Sequence, residues 1–323
     1  MSERLLSTLS LPPPTLSALA GAGYETVRDL SNSTPEQLSR DLNIPLPASQ
    51  AVFSATRPST SLPMTQSAAA MMGTTKLYST GCPPLDRLLG GGLKRGSVLE
   101  INGPPGSGKE QIAANAVKSF VKCNQEVLFV DMQNMVPPAT IKRILMNNPT
   151  ADTDGLDLVR YQTLHTIAEF VVFLRNLPAY LEANPATALL VLNSLAFPFQ
   201  PITKYKERTP ILERLKQTLT LACASMGLSV IITSQLYTRM LEGNGQPGSA
   251  PPGSKSIMIP CFGEPNTPAS NDAFPMGRTY RVIIVPQTRT TGVMRLLSSP
   301  AHVPVKGQPV PEEPYQRVRG VLS

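Results

Sequence analysis

The stretch Gly103-Pro104-Pro105-Gly106-Ser107-Gly108-Lys109-Glu110 decides how the chain is read. It follows the spacing of a phosphate-binding loop, G-x-x-x-x-G-K-[ST], at every position except the last. Val98-Leu99-Glu100-Ile101-Asn102 before it reads as a short buried strand, and Gln111 to Val117 after it as a helix. Strand, glycine loop and helix is the context the loop needs. The glycines let backbone N–H groups curl round phosphate oxygens, and the helix N-terminus adds partial positive charge. Lys109 would reach the β- and γ-phosphates. Pro104 and Pro105 have no N–H to offer, so the cradle rests on Gly106 to Glu110.

The last position of the pattern takes a Ser or Thr whose hydroxyl sits on Mg²⁺. Here it is Glu110. A carboxylate is a hard ligand for Mg²⁺, which makes Glu110 the candidate metal ligand. It is also longer than Thr and negatively charged beside the phosphates. A nucleotide site is expected, with altered metal chemistry.

Composition sets the outer limits. The 323 residues would hold one large domain and a small one, with a sizeable core. There is no Trp, and the 33 prolines crowd the N-terminus, a mid-N-terminal stretch and the last third, where long loops are expected. A formal charge of +7 is compatible with an acidic partner such as nucleic acid and equally with mere solubility, because the charge is spread rather than blocked. Cys82, Cys123, Cys223 and Cys261 form no CxxC pair, so reduced thiols are expected. The apolar run from Leu5 to Leu11 is too short for a secretory leader, and no run is long enough to span a membrane. The expectation is a soluble intracellular chain.

Taken in order, residues 1–54 read as a small helical unit. Thr15 to Ala20 starts a helix after three prolines, and Gly21-Ala22-Gly23 stops it. Thr26 to Leu30 reads as a second short helix, and Thr34-Pro35-Glu36-Gln37 as a helix start. A helix, a glycine hairpin and a helix can aim N–H groups at a DNA phosphate. With few Lys or Arg there, a protein-docking cap is the alternative. Residues 55–75, rich in Ser, Thr, Ala and Pro, read as a linker.

Residues 76–300 alternate strand and helix. Strands are expected at Val127 to Asp131, Leu156 to Tyr161, Ala188 to Asn193 and Leu228 to Thr233. Helices are expected at Ala139 to Met146, at Ile167 to Leu177 with Pro178 interrupting, and at Ile211 to Met226. The pattern predicts an α/β fold with a parallel sheet covered on both faces. Ligands of such sheets bind at the C-terminal strand ends, where Asp131, Asn193 and Gln235 would gather beside the glycine loop. Tyr237 to Asp272 reads as a long loop without period, and Arg281 to Val285 with Val293 to Leu297 as an antiparallel pair. Residues 301–323 read as a weakly structured Pro-rich tail.

These residues resemble the RecA-like recombinases of eukaryotes, and among them the paralogue (mediator) branch, most of all its C type. The carriers are Ser79-Thr80-Gly81 with Leu85-Asp86, Leu89-Gly90-Gly91-Gly92, the phosphate loop, Asp131, and Leu195-Ala196-Phe197-Pro198-Phe199. Ile232-Thr233-Ser234-Gln235 and Cys261-Phe262-Gly263-Glu264 complete the ordered set. Leu19 to Leu30 is similar to that family's N-terminal helix–hairpin–helix domain. The resemblance implies a RecA-like P-loop NTPase core binding ATP with Mg²⁺. It also implies a nuclear role in double-strand-break repair by homologous recombination, assisting the recombinase filament on single-stranded DNA.

The departures qualify what the resemblance implies. The family's metal-helping Asp falls on Asn193 and its catalytic Glu on Gln133, each close in size and uncharged. With Glu110, three catalytic positions are altered. Losing one placed proton acceptor commonly lowers rate by about 10²–10⁴, so hydrolysis should be very slow or absent. Gln235 matches the residue that senses the γ-phosphate; an ordinary strand-end polar residue is the alternative. The DNA-contacting loops would hold Lys204, Tyr205, Lys206 and Arg208, where cations flank an aromatic as single-strand binding requires, or these would simply start a solvated helix. Phe53-Ser54-Ala55-Thr56 departs from the family's Phe-x-x-Ala self-assembly contact at its last residue. A hetero-oligomer with other paralogues and the recombinase is therefore expected. Two further readings stay open: an active DNA-dependent ATPase, and a nucleotide-free scaffold.

Overall fold

The computed structural model describes residues 5–6, 11–27, 29–56, 76–146, 153–202, 205–241, 255–262, 273–301, 309–318 and 321–322. The chain divides into two units, Met1–Gly73 and Thr74–Ser323.

In the first unit, helix α1 (Pro13–Gly21) starts on prolines that cannot donate where no donor is needed. Helix α2 (Pro35–Asp41) opens with a reciprocal capping box, in which Gln37 N donates to Thr34 Oγ1 and Thr34 N to Gln37 Oε1. Helix α3 (Leu46–Thr56) packs on α2. Leu6, Leu19, Leu30, Leu38 and Val52 form the unit's own core. The expected helix over Thr26–Leu30 does not form. The Asp29 carboxylate accepts from Glu25 N, Thr26 N and Thr26 Oγ1, and that turn diverts the chain into a 3₁₀ turn at Asp29–Asn32. The expected linker falls almost wholly outside the described residues, although α3 reaches into it.

The second unit opens with β1 (Leu77–Tyr78), α4 (Pro83–Leu88) and β2 (Leu93–Lys94), β1 and β2 pairing antiparallel. Next come β3 (Val98–Asn102), α5 (Lys109–Val121), β4 (Glu126–Asp131), α6 (Pro138–Met146), β5 (Val159–Thr163), α7 (Ile167–Ala183), β6 (Thr187–Asn193), α8 (Tyr205–Leu221) and β7 (Ser229–Ser234). The chain closes with β8 (Leu236–Leu241), β9 (Lys255–Pro260), β10 (Thr279–Pro286), β11 (Thr291–Ser298), β12 (Glu312–Val318) and β13 (Val321–Leu322). One sheet of nine strands runs β13-β12-β11-β10-β3-β7-β6-β4-β5. From β10 to β5 every pairing is parallel, and the β11, β12 and β13 pairings are antiparallel.

The central strands are apolar at nearly every position because both faces are covered. Leu99, Ile101, Val127, Phe129, Leu189, Val191 and Ile231 pack on one side with Ile112, Ala116 and Phe120 of α5. Val98, Leu128, Val130, Leu190, Leu192, Val230 and Ile232 pack on the other with Phe170 and Leu174 of α7 and Leu215 and Leu219 of α8. The alternation is the two-residue period of a strand.

Four expectations are corrected here. Helix α7 continues through Pro178 to Ala183, because the surrounding packing of Leu174, Leu177 and Leu181 outweighs one missing donor. Helix α8 begins six residues earlier than expected and ends at Leu221 in a π turn, Ala222–Met226, closed by Gly227 at φ +65°. The expected loop from Tyr237 contains the β8–β9 hairpin, in register from Leu236↔Pro260 to Leu241↔Lys255, while residues 242–254 and 263–272 lie outside the described ones. The expected weak tail supplies β12 and β13. Pro314 is accommodated because, among the described residues, β12 near it pairs with β11 alone, the edge position where a missing N–H is tolerated.

Candidate nucleotide-binding site

The site is built at the C-terminal ends of adjacent strands. Asn102 of β3 and Ser234 of β7 are register partners, as are Asp131 of β4 and Asn193 of β6, and all four are fully buried. The glycine loop leaves β3 at this level, and Gly103 N donates to Ser234 O at 3.3 Å. A Cβ at Gly103 would sit 2.5 Å from Ser107 Oγ and 3.1 Å from its Cβ, so any larger residue there would displace Ser107. Gly108 caps α5 at φ +93°, a left-handed conformation that turns the loop into the helix. Among the described residues, the amides of Gly106, Gly108, Lys109 and Glu110 donate to no neighbour, and the buried Ser107 Oγ has no partner. Free amides, an orphaned hydroxyl and a helix N-terminus are what a phosphate group satisfies. The residues present therefore fit a nucleotide.

Glu110, the expected Mg²⁺ ligand, faces Lys109 in this structure. The Glu110 carboxylate lies 2.8 Å from Lys109 Nζ, and that ammonium, fully buried, also donates to Pro104 O at 3.2 Å. Asp131 is held by Gln133 N (3.2 Å), Val136 N (2.7 Å), Tyr161 Oη (3.4 Å) and Asn193 Nδ2 (3.2 Å). The Asn193 amide oxygen accepts from Thr233 Oγ1 at 2.7 Å. Among the described residues, no group of three or more His, Cys, Asp or Glu side chains is placed to hold a metal ion.

Asp131 thus works as a brace for the turn Met132–Val136. Burial, then the neighbouring Asp131 charge, push the Tyr161 hydroxyl up to about 12, so Tyr161 stays a donor at neutral pH. Gln133 is half-buried, with its backbone N–H on Asp131. Gln235 stands half-buried between β7 and β8, and its carbonyl accepts from Cys261 Sγ at 2.8 Å. The structure therefore brings the loop, Gln133, Asn193 and Gln235 to the C-terminal ends of neighbouring central strands.

The expected DNA-contacting residues divide. Lys204 lies outside the described residues, as do Gly263 and Glu264. Tyr205 begins α8 and Lys206 is exposed. Arg208 is tied down, its Nε and Nη2 both donating to Ile202 O. Leu195 to Phe199 ends in a 3₁₀ turn that buries Phe199 between Phe170 and Phe262, at ring separations of 5.7 and 5.6 Å.

Two features escape sequence reasoning. Glu100 and Arg281, register partners on β3 and β10, form a buried ion pair in the strand that leads into the loop, with Arg281 Nη2 also on Phe262 O at 3.1 Å. The chain end meets the loop itself, where Arg317 Nη1 donates to Gly106 O at 2.8 Å and Leu322 lies against Gly108. Beside this contact a cleft of about 360 Å³ is lined by Pro105, Ser107, Thr288, Arg289 and Tyr315. The Glu100–Arg281 pair carried a faint signal, a charge inside each of two apolar strands.

The Rad51 family model matches residues 74–255, more than half of the chain. The chain belongs to the Rad51 family. Its α/β core, with a mostly parallel sheet between helices, is the RecA-like domain of that family. Relatives include the "DNA repair protein RAD51 homolog 3" of Cricetulus griseus, 21% identical over 304 residues, covering 81% of this chain and 80% of that protein. The "DNA repair protein RAD51 homolog 4" of Mus musculus is 28% identical over 183 residues, 52% of this chain. A "Protein RecA" of Nostoc sp. is 33% identical over 101 residues, 29% of this chain. The Rad51-family chain spans about half the length of the mouse protein (54%) and four fifths of the hamster one (80%). The C-type paralogue expected from the sequence fits these relatives.

Proposed function

We propose that this Rad51-family chain is a nucleotide-binding recombinase paralogue of DNA double-strand-break repair by homologous recombination. It binds ATP or its product at the Gly103–Glu110 loop, hydrolyses it very slowly or not at all, and assists the recombinase filament on single-stranded DNA. It does so in the nucleus, within a hetero-oligomer of other paralogues and the recombinase. The DNA contact is assigned to the Lys204–Arg208 segment, with exposed Lys206 as its best-supported cation.

The observation that carries the reading is the pairing of an intact cradle with a disarmed water site. The loop offers free amides, Ser107 and Lys109. The two positions where a carboxylate would orient water and metal hold the amides Gln133 and Asn193, and the Asn193 amide is already bonded on both sides. An amide cannot take a proton from water at neutral pH. Among the described residues, no helix is long and apolar enough to cross a membrane.

The test is ATP binding and turnover on the purified chain, with and without single-stranded DNA, beside Lys109→Ala. Binding lost in the variant with turnover near background supports a nucleotide-gated mediator. DNA-stimulated turnover that vanishes with Lys109 would show an active ATPase instead. Binding to neither nucleotide would leave the scaffold.

A further inference from the structure

The Lys109–Glu110 pair joins consecutive residues, which on a regular helix point in different directions. It forms because Lys109 is the first helical residue and its side chain folds back along the loop, reaching Pro104 O at 3.2 Å and Glu110 Oε1 at 2.8 Å. Lys109 is wholly buried and the Glu110 side chain is 13% exposed, so little water screens the pair. Where the family places a neutral hydroxyl, this chain supplies its own anion to its phosphate-binding lysine.

We propose that Glu110 is an intramolecular counter-anion for Lys109, and that it makes the site select a nucleoside diphosphate over a nucleoside triphosphate. This rests on the nucleotide-site reading above. A diphosphate fills the amides of the loop and the helix N-terminus and asks of Lys109 only a β-phosphate contact, which it can share with Glu110. A triphosphate has to draw Lys109 onto its γ-phosphate, which sets that group beside the Glu110 carboxylate, and like charges in a poorly solvated site repel. Of the neighbouring cations, Arg281 is paired with Glu100, Arg317 and Arg289 flank Pro105, Gly106 and Ser107 at the start of the loop, and the cation in contact with Glu110 is Lys109. Asn193 brings no charge, and the helix N-terminus favours retaining an acidic residue in its first turn. Glu110 thus acts on which nucleotide stays bound, and the slow water chemistry follows from other residues.

The test is calorimetric titration of ADP and ATP into the full chain, in EDTA and in Mg²⁺, for the wild type, Glu110→Gln, Glu110→Thr and Lys109→Ala, with thermal melts as a folding check. In EDTA the wild type is expected to prefer ADP over ATP by about tenfold or more. Both Glu110 variants should narrow that ratio to about threefold or less, chiefly by tightening ATP. Equal affinity of the wild type for ADP and ATP in EDTA would overturn the proposal. So would a loss of Mg²⁺-dependent ATP affinity in Glu110→Gln, which would make Glu110 a metal ligand. Binding of neither nucleotide by the wild type would remove the nucleotide site itself and the proposal with it.

Discussion

Asp131 shows what a single side chain does here. Its carboxylate gathers two backbone donors from the turn after β4, one phenol and one amide. Charge-assisted bonds of this kind contribute about 1.5–3 kcal/mol each and do not add fully. Asp131→Ala should therefore destabilise the core by about 3 kcal/mol or more, read from the urea midpoint. The buried Glu100–Arg281 pair sets a second expectation. Glu100→Gln removes the buried anion that faces Arg281, at a cost of about 3–5 kcal/mol, whereas Arg281→Met with Glu100→Leu should recover most of it. Alkaline stability follows from groups whose folded pKa is raised. Burial pushes the Cys82 and Cys261 thiols up to about 11 and Cys223 to about 12, and Tyr161 rises to about 12. The unfolded chain loses these protons first, so their contribution is complete below about pH 9 and falls away as pH climbs towards 12. Urea midpoints from pH 8 to 11 should drop, and Cys223→Ala should flatten the slope. A flat profile in the wild type would count against it.

Among the elements, the C-terminal strands pair with the sheet and brace the loop at once. Leu322 is buried against Gly108, Arg317 holds the Gly106 carbonyl, and Tyr315 packs over Gly292. Leu322→Ala should cost about 2–4 kcal/mol and, by loosening the cradle, weaken nucleotide binding as well. Unchanged affinity in a destabilised variant would confine the strands to a structural role. How legible these elements were depends on their burial. β3, β4, β6 and β7 are covered on both faces and announce themselves as short, mainly apolar runs, with Glu100 the one charge inside β3. β8, β9 and β12 lie in stretches dominated by Pro, Gly and Ser, so their six or seven strand-forming residues are diluted. The site divides the same way. The glycine loop was visible because its spacing is fixed by phosphate geometry. Glu110 can be read from the sequence as a hard oxygen donor, but the contact its side chain makes with Lys109 cannot. The contacts from Arg281 and Arg317 span 181 and 211 residues, and only the folded chain brings those partners together.

At the level of the whole molecule, the chain holds separate cores. Leu6, Leu19, Leu30, Leu38 and Val52 belong to the unit Met1–Gly73, and both large clusters belong to Thr74–Ser323. A unit of this size is marginal by itself, since small domains bury the least surface per residue. The residues of the candidate nucleotide site, Gly103 to Glu110 with Gln133, Asn193 and Gln235, belong to the larger unit. The two should therefore unfold as distinct transitions, and only the larger one should respond to nucleotide. At about 100 times its Kd a nucleotide adds ~2.7 kcal/mol to the state that binds it. For a unit of this size each kcal/mol raises Tm by about 2–4 °C. Scanning calorimetry with ADP should then move the major transition up by several degrees and leave the minor one still, and Lys109→Ala should abolish the shift. A single transition that moves as a whole would mean the units are coupled. Nucleotide would then be sensed at the N-terminal helices, and a search for partners docked there would have to be made in both nucleotide states.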